Sequence, residues 1–135
     1  MPLVLHFLNV GHGDCTFIEL PSGRLMMIDI NNSKSLPWDD KVALAEARNV
    51  DVLEFSRSAV LKGGRSWEDY YKSLLVDPYD YYQEQFAGRE IFRYLQTHPD
   101  MDHMGGLFRF FVQGQVPLLN FWDVGHAKTF TKVTR

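Results

Sequence analysis

The stretch THPDMDHMGG, residues 97–106, carries the densest group of potential metal ligands in the chain. Four imidazole or carboxylate side chains fall within six positions: His98, Asp100, Asp102 and His103. The segment 91–97 before them predicts a buried strand, and residues 105–113 after them predict a helix. Imidazole and carboxylate donors together suit Zn²⁺, Mn²⁺ or Fe²⁺. The stretch therefore predicts a metal site at the exit of a strand.

The spacing within this stretch indicates two groups of donors. His98 and Asp100 are two residues apart, so their side chains point the same way in an extended backbone. Asp102 and His103 then turn toward a second position. Gly105-Gly106 allows the following helix to begin close to the metal.

The first thirty residues predict a β-meander. Apolar segments at residues 3–9, 15–20 and 25–30 alternate with two turn signals, Gly11-His12-Gly13-Asp14 and Pro21-Ser22-Gly23. Further along, the patterns predict helices at residues 41–48, 66–76 and 78–86 and a strand at 118–124. Residues 50–61 are ambiguous. These elements make an α/β protein.

Composition excludes several classes of protein. The chain has 135 residues, 45% of them hydrophobic, which is enough for one globular domain with a core. No apolar run is long enough to span a bilayer, and the amino terminus lacks a signal-peptide pattern, so we expect no membrane association. The net charge of −3 disfavours a general binder of phosphate backbones. The single Cys15 suits a reducing cytoplasm.

Two motifs of this chain, in the order that the family shows, resemble those of the metallo-β-lactamase fold superfamily. The pattern His98-x-Asp100-x-Asp102-His103 is similar to the superfamily's His-x-His-x-Asp-His, with Asp100 in place of the second His. This variant, followed by Gly-Gly, resembles the competence-protein (ComEC-type) branch. That branch often begins with Val-Gly-Gln-Gly-Asp and a hairpin ending in Ile-Asp-x-Gly. Here the corresponding segments are Val10-Gly11-His12-Gly13-Asp14 and Ile28-Asp29-Ile30-Asn31.

The resemblance implies a ligand set. His98 and Asp100 match ligands of a first metal, and Asp102 and His103 match ligands of a second, so that one or two Zn or Mn ions are expected. Asp102 is the residue to which we assign a catalytic role.

The resemblance also implies supporting residues. Asp29 matches a carboxylate that holds the motif loop from behind the metal ligands. Asp14 and His12 lie in a loop expected at the same sheet edge, and His12 replaces the usual Gln. His126 follows the last predicted strand and is either structural or close to the metals.

The resemblance further implies a fold of two similar halves, of which this chain matches the amino-terminal one. We expect residues 1–135 to form a single, incomplete αβ/βα sandwich, a mixed sheet with outer helices, enlarged by an aromatic-rich helical insertion at about residues 38–89. One apolar sheet face would then remain for a second copy of the chain or for a missing carboxy-terminal half. His6 and Cys15 are expected to be structural.

Two functions stay open at this point. The resemblance implies a metal-dependent hydrolase in which a metal-bound hydroxide attacks phosphodiester or nucleotide-type substrates. The alternative is a non-catalytic half-domain or fragment that acts as an interaction module. In either case we expect the isolated chain to show weak or absent hydrolytic activity.

Overall fold

The computed structural model describes residues 1–32 and 35–125. Its centre is a five-stranded mixed sheet in which the strands follow each other in chain order. The strands are β1 Val4–Phe7, β2 Cys15–Glu19, β3 Leu25–Ile30, β4 Ile91–Gln96 and β5 Leu118–Asp123. The first three are antiparallel, as the meander predicted, and β4 and β5 run parallel to β3. The α/β fold class is confirmed.

Helices fill the two parallel connections. The connection from β3 to β4 carries α1 Trp38–Ala47, α2 Val52–Arg57, α3 Trp67–Ser73 and α4 Pro78–Phe86. Ser66 and Asp69 form a capping box at the start of α3, and the Asp77 side chain caps α4. The connection from β4 to β5 carries α5 Met101–Met104 and a π-helix at Phe108–Gln113.

Some helix boundaries differ from the sequence prediction. The helix expected at residues 105–113 begins later, as the π-helix at Phe108–Gln113, and a separate short helix, α5, ends before Gly105-Gly106. Gly106 lies so close to β3 that a Cβ atom there would be 2.8 Å from Ile30 Cγ1. Helix α1 also starts earlier than predicted, at Trp38, and Pro37 precedes it without a side-chain cap. The ambiguous residues 50–61 include α2, which Asp51 caps.

The core lies between one face of the sheet and two helices, α4 and the π-helix. Its buried sheet residues include Phe17, Met27 and Tyr94, and Phe110 of the π-helix packs against them. Tyr82 and Phe86 of α4 complete this layer, so part of the aromatic-rich segment is core. A second cluster around Leu36, Ala45 and Phe55 holds α1 to α3 together.

The opposite face of the sheet, which we call the open face, faces no helix among the described residues. Strand pairing places two rows of side chains on it: Leu5, Ile18, Met26, Arg93 and Asn120, and then Phe7, Thr16, Ile28, Leu95 and Trp122. Phe7 is 76% exposed, and Leu5 and Trp122 are each 48% exposed. Crossover connections between parallel strands are almost always right-handed. The crossovers from β3 to β4 and from β4 to β5 both advance in the same direction across the sheet, so they place their helices on one face. Within residues 1–32 and 35–125, the other face then has no helix packed on it.

His6 has the structural role that was expected of it. Its ring nitrogens contact Tyr81 Oη at 2.8 Å and Glu19 Oε2 at 2.9 Å, which ties β1 to α4. Cys15 is buried, and its burial together with the nearby Asp29 and Asp14 carboxylates raises the pKa of the thiol. Among the described residues, no helix has the length and apolar character needed to cross a bilayer.

Candidate metal centre

The candidate centre lies where β3 and β4 end, beside the loop that joins β1 to β2. Asp29 is its buried anchor, with only 2% of its surface exposed. The pairing of β2 with β3 skips Asp29, since Cys15 pairs with Ile30 and Thr16 pairs with Ile28. Asp29 also has a φ of 53°, in the left-handed region that non-glycine residues rarely adopt. This bulge turns the carboxylate toward the end of β4.

Asp29 holds the motif loop through several hydrogen bonds. The Thr97 backbone N–H donates to Oδ1 at 2.7 Å, and the Gln96 amide donates to the same oxygen at 3.2 Å. The Thr97 hydroxyl donates to Oδ2. The carboxylate therefore fixes the exit of β4, which is the supporting position that the resemblance implies for it.

His103 lies between two carboxylates. Its Nδ1 is 3.0 Å from Asp29 Oδ2 and 3.4 Å from Asp14 Oδ2. One ligand atom from each of these three residues lies within 4.8 Å of the others. Nδ1 can carry only one hydrogen, so a single N–H cannot serve both carboxylates well. A divalent cation would balance this concentration of negative charge, and the mixed oxygen and nitrogen donors fit Zn²⁺ or Mn²⁺.

The other nitrogen of His103 faces a second possible donor set. His103 Nε2 is 3.5 Å from Asp102 Oδ2, and that oxygen is 3.6 Å from His12 Nε2. In this arrangement Asp29 orients the ring through Nδ1 and leaves Nε2 for a metal, as carboxylate–histidine pairs do in many metal sites. His103 is common to both sets.

The remaining predicted ligands lie around His103. The His98 ring is exposed, and its centroid is 4.7 Å from that of His103. The Asp100 carbonyl accepts a hydrogen bond from the His103 backbone N–H at 2.9 Å, so Asp100 lies directly before α5. The close three-residue group thus contains one predicted ligand, His103, and two residues predicted for supporting positions, Asp14 and Asp29. His126 lies outside the described residues.

Backbone contacts join the loop before β2 to α5. The Asp14 N–H donates to the Asp102 carbonyl at 3.2 Å, and the Asn31 N–H donates to the Asp14 carbonyl at 3.0 Å. At Gly13, the residue before Asp14, an added Cβ atom would lie 2.0 Å from the Asp102 carbonyl oxygen. Only glycine allows this approach. Asp14 and Asp102 are consequently held on adjoining segments.

Sequence reasoning missed Gln96 and Tyr94, which support the site from the core. The Gln96 amide donates to the His98 carbonyl at 2.7 Å and to the His103 carbonyl at 3.0 Å. The buried Tyr94 hydroxyl donates to Gln96 Oε1 at 2.6 Å. Burial, with smaller effects from Asp29 and Cys15, raises the pKa of Tyr94 and keeps it a neutral donor. A polar Gln at the last position of a strand with mostly apolar and aromatic residues was the available signal.

A scan against protein-family models found no match, and searches of curated proteins and of solved structures found none either. The resemblance of the motifs therefore depends on the residues of this chain alone.

Proposed function

We propose that this chain is a metal-dependent hydrolase of the metallo-β-lactamase type that acts on phosphodiester or nucleotide-type substrates. The observation that carries the proposal is the contact of one imidazole, His103, with the Asp14 and Asp29 carboxylates at the carboxyl ends of parallel strands. Ligands of open α/β sheets bind at that edge. The lone buried Cys15 is compatible with a cytoplasmic location.

The residues present divide the work of such a site. Asp29 orients the His103 ring and the motif loop, while Asp14, Asp102 and His103 supply donors that face outward. When bound, one or two Zn²⁺ or Mn²⁺ ions would supply a Lewis acid and lower the pKa of water. Asp102, with about a third of its side chain exposed, is the carboxylate that we assign to orient the attacking water. His98 and His12 are exposed at the same edge and would contact substrate or metal.

Hydrolysis of a generic nitrophenyl phosphodiester tests this function. We expect slow turnover with Zn²⁺ or Mn²⁺ that a chelator abolishes. Asp29 is already bonded to the motif loop, so the close group leaves fewer free donors than the three protein ligands that a catalytic zinc usually has. Asp102→Asn should reduce the rate at least tenfold, and Asp39→Asn, which changes an exposed carboxylate of α1, should not. Turnover that is indifferent to the chelator, or equal in both variants, would contradict the proposal.

A second candidate function is an interaction module, and the open face favours it. Phe7, Leu5 and Trp122 expose apolar surface on one side of the sheet. Such a surface is favourable to cover, at roughly 25 cal/mol per Å². A two-fold dimer is the commonest closed arrangement for identical chains. Sedimentation at micromolar concentration should show a dimer, and a 15.7 kDa monomer that binds no hydrophobic dye would rule this candidate out.

A further inference from the structure

A small pocket adjoins the candidate centre on the side of β5. It has a volume of about 130 Å³ and lies between the ends of β4 and β5 and the segment from α5 to the π-helix. Its walls combine apolar side chains with a polar rim. The apolar ones are Pro99, Met104, Leu107, Phe121 and Val124, and the polar ones are Gln96, His98 and Asp123.

His98 links the pocket to the candidate centre. Its side chain lines the pocket, and its ring centroid is 4.7 Å from that of His103. A molecule whose reacting group sits at His103 would therefore place its next few atoms at the pocket. Both sites occupy the carboxyl ends of the parallel strands, where crevices of open α/β sheets bind ligands.

The size and chemistry of the pocket match one planar ring. An engineered apolar cavity of about 150 Å³ is large enough to hold benzene. Phe121 offers a ring wall that is itself held against Tyr94, with centroids 5.2 Å apart and planes inclined by 27°. In the polar rim, the Asp123 carboxylate can accept a hydrogen bond from a ring substituent. One of its oxygens already accepts from the Gly125 N–H at 2.7 Å.

We propose that this pocket binds an aromatic ring of the substrate, an aryl group or a nucleobase, while the phosphoryl group lies at His103. The placement of the phosphoryl group at His103 rests on the proposed function, whereas the binding of a ring in the pocket does not. The lining of the pocket is mainly apolar, so binding of a ring there does not require a metal.

Paired ligands test the proposal by calorimetry on the zinc-loaded chain. Phenyl phosphate should bind about tenfold more tightly than methyl phosphate, because only the phenyl ring buries apolar surface. Adenosine monophosphate against ribose phosphate makes the same comparison for a nucleobase. Tighter binding of the ring-bearing ligand in either pair supports the proposal and identifies the kind of ring that the pocket takes. Equal affinities within both pairs would overturn it.

A matched pair of variants locates the effect. Val124 lines the pocket and is 64% exposed, and Val112 of the π-helix is 58% exposed and lies outside the pocket lining. Val124→Asn should reduce the ring preference at least threefold, and Val112→Asn should leave it unchanged. Neither valine is buried, so both variants should fold. An equal effect of the two variants would contradict the assignment.

A metal-free arm separates this inference from the hydrolase proposal. Phenol should shift the amide resonances of Leu107 and Val124 in protein treated with chelator. If phenol binds there but zinc does not bind to the chain, the hydrolase proposal fails and the pocket stands. If zinc binds but no ring ligand is preferred, the pocket fails alone.

Discussion

Asp29 combines two features that are individually unfavourable. It is a buried carboxylate, and its backbone has a left-handed φ of 53°. Such backbone strain costs on the order of 1–3 kcal/mol and persists only where the surroundings compensate for it. Here Thr97, Gln96 and His103 surround both carboxylate oxygens. The bulge is therefore maintained by the loop that it positions.

Asp29→Asn tests this role. The amide keeps one acceptor but turns an NH₂ group toward a neighbour that donated to the carboxylate. We expect a loss of about 1–3 kcal/mol in unfolding free energy and about 10–100-fold weaker zinc binding. Denaturant unfolding and calorimetry measure the two effects. Stability and zinc affinity equal to those of Asp39→Asn would show that Asp29 does not support the site.

Gly13 offers a second test at the residue scale. Its φ is +114°, and an added Cβ would lie 2.0 Å from the Asp102 carbonyl oxygen. Gly23 is the matched control, since it has a φ of +83° but no atom within 4 Å of its Cβ position. Gly23→Ala should cost about 1–2 kcal/mol from backbone strain alone. Gly13→Ala should cost more in chemical unfolding and should weaken zinc binding. Equal costs would mean that the Gly13 approach to α5 is not tight.

At the scale of elements, Glu68 joins the helices α1, α2 and α3 of the connection from β3 to β4. Its carboxylate is 2.7 Å from Lys41 Nζ of α1 and 3.2 Å from Lys72 Nζ on its own helix α3. Partial burial raises the pKa of Glu68, but hydrogen bonds from Lys41, Ser56 and Lys72 outweigh it, so the pKa is lowered from its ordinary 4.5. Elements α1, α2 and α3 are thus linked through one anion.

The direction of this shift gives a pH dependence. A carboxyl group with a lowered pKa in the folded state stabilises the fold above its unfolded pKa, and the contribution disappears as the pH falls through the folded value. Wild type should exceed Glu68→Gln in unfolding free energy near pH 6, and the difference should shrink below about pH 4.5. Denaturant titrations across this range measure it. A difference that does not vary with pH would exclude Glu68 as its source.

The elements that the sequence predicted best are those with local signals. The meander follows from apolar strands divided by Gly and Pro turns, and α3 and α4 begin at the caps Ser66 and Asp77. The π-helix was not predicted as such, because its apolar pattern does not distinguish a π-helix from an α-helix. A Cβ atom on Gly114 would lie 2.4 Å from the Tyr79 ring. Tertiary contact of this kind leaves no local pattern.

The candidate site was predictable in its residue types but only partly in its roles. The density of His and Asp in residues 97–106 predicts a site at the edge of the sheet where Asp14, Asp29 and His103 meet. The bulge at Asp29 and the contact between Gly13 and Asp102 depend on segments more than sixty residues apart in sequence. They bring Asp14 to His103, which spacing alone could not show.

At the scale of the whole molecule, the helices on one side of the sheet leave the open face to other contacts. Arg93 lies over the Trp122 ring on this face at 3.6 Å, so even its charged residue is packed on an aromatic side chain. Phe7 is its most exposed large side chain, at 76%. Phe7→Glu should therefore convert a dimer into monomer in sedimentation experiments.

Phe108→Glu is the control for that variant. Phe108 is 63% exposed and belongs to the π-helix on the other side of the sheet. The Phe108→Glu variant should have the same sedimentation coefficient as wild type. A dimer that persists in Phe7→Glu and dissociates in Phe108→Glu would place the interface on the helical side.

We propose His103 as the common ligand of a metal site, and zinc titration by calorimetry tests this role most directly. Wild type and His6→Ala should bind zinc with the same stoichiometry, because His6 is bonded to Tyr81 and Glu19 away from the centre. His103→Ala should bind at least tenfold more weakly while remaining folded by circular dichroism. Equal zinc binding by His103→Ala and His6→Ala, or no binding by wild type, would contradict the claim.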